Sequence, residues 1–111
     1  MAEDGDAIRR LFARVTAFGW HDAKRASNLR KHGIDFADAK GVFDGQTVIR
    51  RSDRHGEIRY QVFGIVEGRE VAVACTVQGT RCWIISARRA RRDERRRLHA
   101  HLTRRTRQGQ D

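Results

Sequence analysis

"EIRYQVFGIVEGREVAVACTVQGTRCWIISA", residues 57–87, decides the fold of this chain. Three apolar runs are separated by the dipeptides EG (67–68) and QG (78–79). β-Branched and aromatic side chains suit a pleated, half-buried surface, and short Gly-containing breaks suit tight hairpins. The stretch therefore predicts three antiparallel strands in a row. If both breaks are two-residue turns, the register follows. Tyr60, Cys75 and Cys82 share one row, and Val62, Val73 and Ile84 the next, giving an apolar face for helices to cover. The opposite face carries Arg59, Thr76 and Arg81, then Gln61, Ala74 and Trp83, then Phe63, Ala72 and Ile85. A bulge would break this arithmetic, because a one-residue shift exchanges the faces.

Working outward, "TVIRR" (47–51) supplies one more strand, and "FGW" (18–20) has the character of a short one. Asp22 can cap a helix from about Ala23 to His32, with Gly33 placed to stop it. Asp35 can cap a second helix carrying Phe36, Ala39, Val42 and Phe43, closed by "DG" at 44–45. Ile8, Leu11, Phe12 and Val15 have helical spacing in "AIRRLFARV" (7–15), without an evident partner. From about Ala90 to Leu102 a last helix offers a thin inner face of Ala90, Leu98 and Leu102, with Glu94 among them. The class is α+β: N-terminal helices on an antiparallel sheet of about four strands, with a C-terminal helix.

At 111 residues the chain makes one domain, and 39% hydrophobic residues allow a small core. With no Pro, turns rely on Gly, Asn and Asp. No window approaches the ~18 apolar residues of a membrane span. "MAEDGDAIRRLF" lacks the basic start and apolar run of a signal peptide, so a reducing cytoplasm is the expected compartment. Cys75 and Cys82 are then expected as small core thiols rather than a disulfide.

The net charge of +10 is concentrated at one end. Between residues 88 and 107 ten arginines stand against only Asp93 and Glu94. All basic residues except Lys24, Lys31 and Lys40 are Arg. Guanidinium forks grip phosphate bidentately and stack on bases, so an anionic polymer or an acidic protein partner is expected. A solvated helix face is the blander account of "RRARRDERRR" (88–97).

No metal or cofactor is expected, since the five His and two Cys show no zinc-type spacing. Ser86 lacks a nucleophile elbow, and there is no Gly-rich phosphate loop. What remains is arginine, with His55, Glu57 and Tyr60 as possible proton carriers. That set suits RNA cleavage, in which the 2′-hydroxyl of the RNA is the nucleophile. The protein orients the phosphate, stabilises its added charge and moves protons. Equally, His55 and Glu57 could simply decorate an exposed turn.

"FGWHDAKRASNLRKHGIDFADAKGVF" (18–43), "EIRYQVFGI" (57–65) and "IISARRARRDERRR" (84–97) resemble, in order, the motifs of the BrnT family of toxins. The first motif is an aromatic and Trp, then K, N and KHG, then F, A and VF. The resemblance implies a RelE-like ribonuclease fold, RNA cleavage that halts translation, and a type II toxin. It also implies a cognate BrnA-like antitoxin with a ribbon-helix-helix part, through which alone the complex meets promoter DNA. Lys31, His32 and Gly33 match KHG, Glu57 and Arg59 the charged opening of the central strand, and Ser86, Ala87 and Arg88 the ISAR motif. Glu94 and Arg95 match the ER of the last helix.

On this basis Arg59, Arg81, Arg88, His55 and Glu57 are the catalytic candidates for a metal-independent endoribonuclease. Lys31, Trp83, Arg89, Arg91, Arg92, Arg95 and Arg96 are the RNA-binding ones. The alternative is a noncatalytic arginine-rich nucleic-acid-binding or regulatory module. Residues 18–103 would form the toxin domain, 1–17 a helical N-terminal extension over the RNA site or on the antitoxin, and 104–111 a flexible basic tail. His21 stands where the family usually has Asp, shifting the cap to Asp22. "DG" at 44–45 stands for the common "DP". Trp83 replaces an often basic residue, so a cation is lost or a base-stacking ring gained.

Overall fold

A computed structural model describes residues 5–108. Helix α1 (Gly5–Ala13) leads into strand β1 (Ala17–Gly19), α2 (Asp22–His32) and α3 (Phe36–Ala39), which runs on as a 3-10 turn to Asp44. Strands β2 (Val48–Arg51), β3 (Tyr60–Val66), β4 (Arg69–Gln78) and β5 (Arg81–Arg89) follow, then α4 (Arg92–Gln108). The sheet has five strands in the order β1-β5-β4-β3-β2. The α+β class and the four antiparallel strands are as the sequence indicates. The fifth, β1, joins the edge in parallel, with Phe18 beside Cys82 and Gly19 beside Trp83.

The first hairpin turns on Glu67 and Gly68, both at positive φ, as in a type I′ loop. The second turns one residue later than the sequence suggests, with Gln78 facing Arg81. Gly79 takes the first loop position at φ 62, where a type II′ turn favours Gly. Cys75 therefore faces Ile84, and Thr76 faces Trp83. A bulge follows, since Cys75 pairs with Ile84 but Ala74 with Ser86, leaving Ile85 extra. Up to Ile84, even-numbered β5 residues face the core; beyond the bulge the parity inverts. Ala87 is turned inward, and Arg88 shares a face with Ala72 and Phe63 instead of entering the core.

The main core lies on one sheet face, where Val62, Val73, Cys75, Cys82 and Ile84 meet Phe36, Ala39 and Val42. Gly64 permits this approach, because a Cβ there would stand 2.7 Å from Val42 Cγ1. Cys75 and Cys82 are buried free thiols, diagonal across the two strands. Burial and the neighbouring Cys82 thiol, the latter first, push the Cys75 pKa upward. The partner that the sequence leaves open for α1 is this same core. Ile8 is buried in it, and Phe12 packs edge-on to Tyr60 at 5.3 Å and stacks with Phe43 at 6.1 Å. The N-terminal segment, from Gly5 on, thus supports the face opposite the arginines rather than covering it.

The second face is covered at one end only. Phe63 and Ala72 are buried there, as are Ala90 and Leu98, and α4 meets the sheet at β3. Helix α4 runs on through Gln108 where a flexible tail was expected from 104, since no Pro or Gly interrupts it before Gly109. Residues 109–111 lie outside the described residues.

Asn28 joins α2 to β5. β1 ends opposite Trp83, so the edge of β5 beyond it needs another partner. The buried Asn28 amide supplies one. Its Nδ2 donates to the carbonyl of Ala87 at 2.8 Å and of Ile34 at 2.9 Å, and its Oδ1 accepts from the Ala87 N–H at 3.0 Å. Gly33 ends α2 at φ 70 with its N–H on the Leu29 carbonyl. Arg25 then clamps Asp35, the α3 cap, through two bonds of 2.7 and 2.9 Å. Asn28→Ala leaves buried peptide groups without partners and should lower unfolding free energy by roughly 2–4 kcal/mol. Urea denaturation measures this; a loss below about 0.5 kcal/mol would show that water replaces the amide.

Candidate functional site

The uncovered end of the second face holds a cleft of about 290 Å³, lined by His21, Lys24, Glu57, Arg59, Thr76 and Trp83 among others. Its floor is the sheet; its walls are the start of α2 and the segment before β3. That segment is rigid for local reasons. Arg54 and Glu57 exchange two backbone bonds of 2.9 Å around His55 and Gly56, both at positive φ. Thr76 Oγ1 donates to the Ile58 carbonyl at 3.0 Å, and the Ser52 N–H to the Arg59 carbonyl at 2.7 Å. Glu57 then holds Arg59, with Nε to Oε1 at 2.6 Å, while both side chains keep contact with solvent.

Trp83 forms the other side. Its ring lies over Gly19, where a Cβ would meet it at 3.0 Å. His21 stacks on it with centroids 5.8 Å apart and planes 21° apart, and the Arg81 guanidinium sits 5.5 Å from its centroid. Two of the three departures from the resembling motifs, His21 and Trp83, are therefore in contact with each other. His21, not Asp22, occupies the N-cap position of α2, and its side chain makes no cap bond. Asp22 is the first helical residue instead, where its charge suits the helix dipole. A second groove, lined in part by Lys31, His32 and Ser86, adjoins the first and shares Lys24 and the bulged Ile85 with it.

Arg88 stands apart. It forms a bidentate pair with Glu94 at 2.7 and 3.0 Å. Glu94 is buried, also accepts from the Arg91 N–H at 2.8 Å, and has Arg50 at 3.9 Å. The Arg88 bond above all, then the Arg91 N–H, holds the Glu94 pKa down at about 2 against the opposing effect of burial. Glu94 thus closes the first turn of α4 and neutralises the cation that the bulge brings to this face. Arg88 pairs with Ala72, and Arg59 lies beside Thr76 across β4, so they are separated by roughly 13 Å along the strand direction alone. The sheet brings Arg59 and Arg81 to the Trp83 end and leaves Arg88 at the α4 end.

The other candidates divide. His55 is on an exposed turn tip and Tyr60 is buried in the core, so neither lines the cleft. Arg89, Arg91, Arg92 and Arg96 are exposed, whereas Arg95 is anchored on the Ala90 carbonyl at 2.7 Å. Among the described residues no three His, Cys, Asp or Glu side chains converge as a metal site. Sequence reasoning missed His21 and Lys24 as site residues. Lys24 is the K of the Trp-K-N pattern, one helical turn before Asn28, and that spacing carried the signal.

A family model described as "Ribonuclease toxin, BrnT, of type II toxin-antitoxin system" matches residues 20–94. The crystal structure of the Brucella abortus ribonuclease toxin BrnT matches with a TM-score of 0.54 and 26% identity, over 70% of this chain and 100% of that one. Comparison with curated protein sequences gives no match.

The depressed Glu94 pKa has a stability consequence. A carboxylate lowered on folding stabilises the protein above its unfolded pKa and loses that contribution as pH falls towards the folded value. Glu94→Gln should therefore be less stable at neutral pH by about 3 kcal/mol. The difference should shrink between an ordinary Glu pKa and about pH 2. Thermal or urea unfolding across that range checks it; a constant difference would remove the Arg88–Glu94 pair as its source.

Proposed function

This chain belongs to the BrnT family of ribonuclease toxins of type II toxin–antitoxin systems, and from that premise we propose that it is an endoribonuclease whose scissile phosphate sits in the Arg59 cleft. The observation that carries this reading is the Glu57–Arg59 pair, fixed on a rigid turn at the open end of the sheet. A guanidinium held before substrate arrives stabilises charge developing on a phosphate without reorganising. The 2′-oxygen attacks phosphorus, the 5′-oxygen leaves, and the products are a 2′,3′-cyclic phosphate and a 5′-hydroxyl. Glu57, at the cleft wall, serves as a proton carrier. Guanidinium supplies the positive charge, so the reaction is metal-independent.

Arg81 and Trp83 would meet the nucleotides next to the cut, and Lys31 the strand as it passes into the second groove. Arg88 serves this reading differently from Arg59, since its guanidinium is already shared with Glu94. It holds Glu94, and with it the first turn of α4, against the sheet. His55, on its turn tip, would meet only flanking RNA. The exposed Arg89, Arg91, Arg92 and Arg96, with Arg95 beside them, supply nonspecific attraction for RNA or for acidic antitoxin residues.

The family implies RNA targets and a cognate antitoxin. The resembling motifs favour a BrnA-like ribbon-helix-helix antitoxin, with promoter DNA bound only by the complex. No described helix is long and apolar enough to cross a membrane, and RNA cleavage that halts translation places the toxin in the cytoplasm.

Arg59→Ala should lower single-turnover RNA cleavage about a hundredfold or more with the fold retained. It is a cleaner test than Arg88→Ala, which strands the buried Glu94 carboxylate. Cleavage by the wild type should persist in EDTA. Unchanged cleavage by Arg59→Ala would move the centre elsewhere, and EDTA-sensitive cleavage restored by a divalent ion would remove the metal-independent mechanism. RNA binding without cleavage would favour the noncatalytic module.

A further inference from the structure

Resting on the ribonuclease reading, we propose that His21 is the proton-transfer partner of Glu57 in this cleft. His21 stands where the resembling motif usually has Asp. At the N-cap of a helix a short polar side chain normally folds back on the first N–H groups. His21 does not; its ring leaves the helix and lies on Trp83. Trp83 in turn is placed by Gly19, its direct neighbour in β1, which leaves room for the indole. Backbone register and stacking thus hold an imidazole in the same cleft as the Glu57–Arg59 pair.

The other described imidazoles lie elsewhere. His55 is on the turn tip, His32 lines the adjoining groove, His99 faces Glu70 at 3.0 Å, and His101 lies near α1. Cutting RNA requires two proton transfers on opposite sides of the phosphorus. Glu57, as carboxylate, removes the 2′-hydroxyl proton as the O2′–P bond forms. His21, as imidazolium, donates its proton to the 5′-oxygen as the P–O5′ bond breaks. The charges facing His21 are Lys24 and Asp22 on its own helix, Glu57 and Arg59 across the cleft, and Arg81 beyond Trp83.

The same N-cap position provides suitable variants. Asn and Gly are both good N-cap residues, so His21→Asn and His21→Gly keep or improve the start of α2. The experiment is single-turnover cleavage of a mixed-sequence single-stranded RNA pool and of total RNA across pH, with the new ends identified. Circular dichroism checks the fold of each variant. The wild-type rate should fall as pH rises and the acid is lost. His21→Asn should lose this limb and about a hundredfold in rate. Added imidazole should restore part of the rate to His21→Gly. A variant that keeps the limb, or loses rate without a change of profile and without imidazole rescue, would overturn the proposal. A wild type that cuts no RNA overturns the ribonuclease reading, and this proposal falls with it. RNA cut by the wild type and by His21→Asn alike overturns this proposal alone.

Discussion

The architecture depends on one side-chain amide. Asn28 makes both hydrogen bonds that a neighbouring strand would make to Ala87, and so completes the edge of β5 where β1 stops. A helix docked by apolar contact alone can slide or roll by a fraction of a turn. A helix docked through both the N–H and the carbonyl of one strand residue has a fixed register. The consequence is chemical, because α2 carries His21, Lys24 and Lys31 while β5 carries Arg81, Trp83 and Ser86. The α2 wall of both grooves is positioned over β5 by this joint, and its third bond, to the Ile34 carbonyl, ties in the turn to α3.

The bulge at Ile85 is the second constraint. It lets one strand serve two needs, with Ile84 and Ala87 both in the core and Arg88 on the opposite face. The face so formed would carry excess positive charge, and carboxylates manage it locally. Glu57 holds Arg59 at the open end, and Glu94 holds Arg88 under α4. The two pairs differ in burial, and that difference separates their roles. The Arg59 pair is open to a ligand, whereas Glu94 is buried and ties the final helix to the sheet.

Much of this was legible in the sequence. Apolar alternation gave β3, β4 and β5; Gly33 and Asp35 marked the helix end and cap that the structure shows. The second hairpin was misplaced by one residue because QG identifies a turn without saying which loop position Gly occupies. The bulge was not legible, since "WIISAR" contains no Gly or other break. Asn28 within a helix reads as a surface residue until its partner 59 positions away is known. α1 had an obvious apolar stripe but no visible partner, since Phe43 and Tyr60 come together only through tertiary packing. Arginine content points to an anionic partner, yet cannot tell which guanidinium groups are held by Glu57 and Glu94.

The proposed RNA site is the open end of the second sheet face, between the Glu57–Arg59 pair and the His21–Trp83 stack. The most direct measurement is amide and side-chain NMR of the chain titrated with a 2′-O-methyl single-stranded RNA that cannot be cleaved. Shift changes should centre on His21, Lys24, Arg59, Thr76 and the Trp83 indole, and continue along Lys31 and Ser86. Changes centred on α1 and the 3-10 turn, or confined to the exposed arginines of α4 with the Trp83 indole unmoved, would contradict the account.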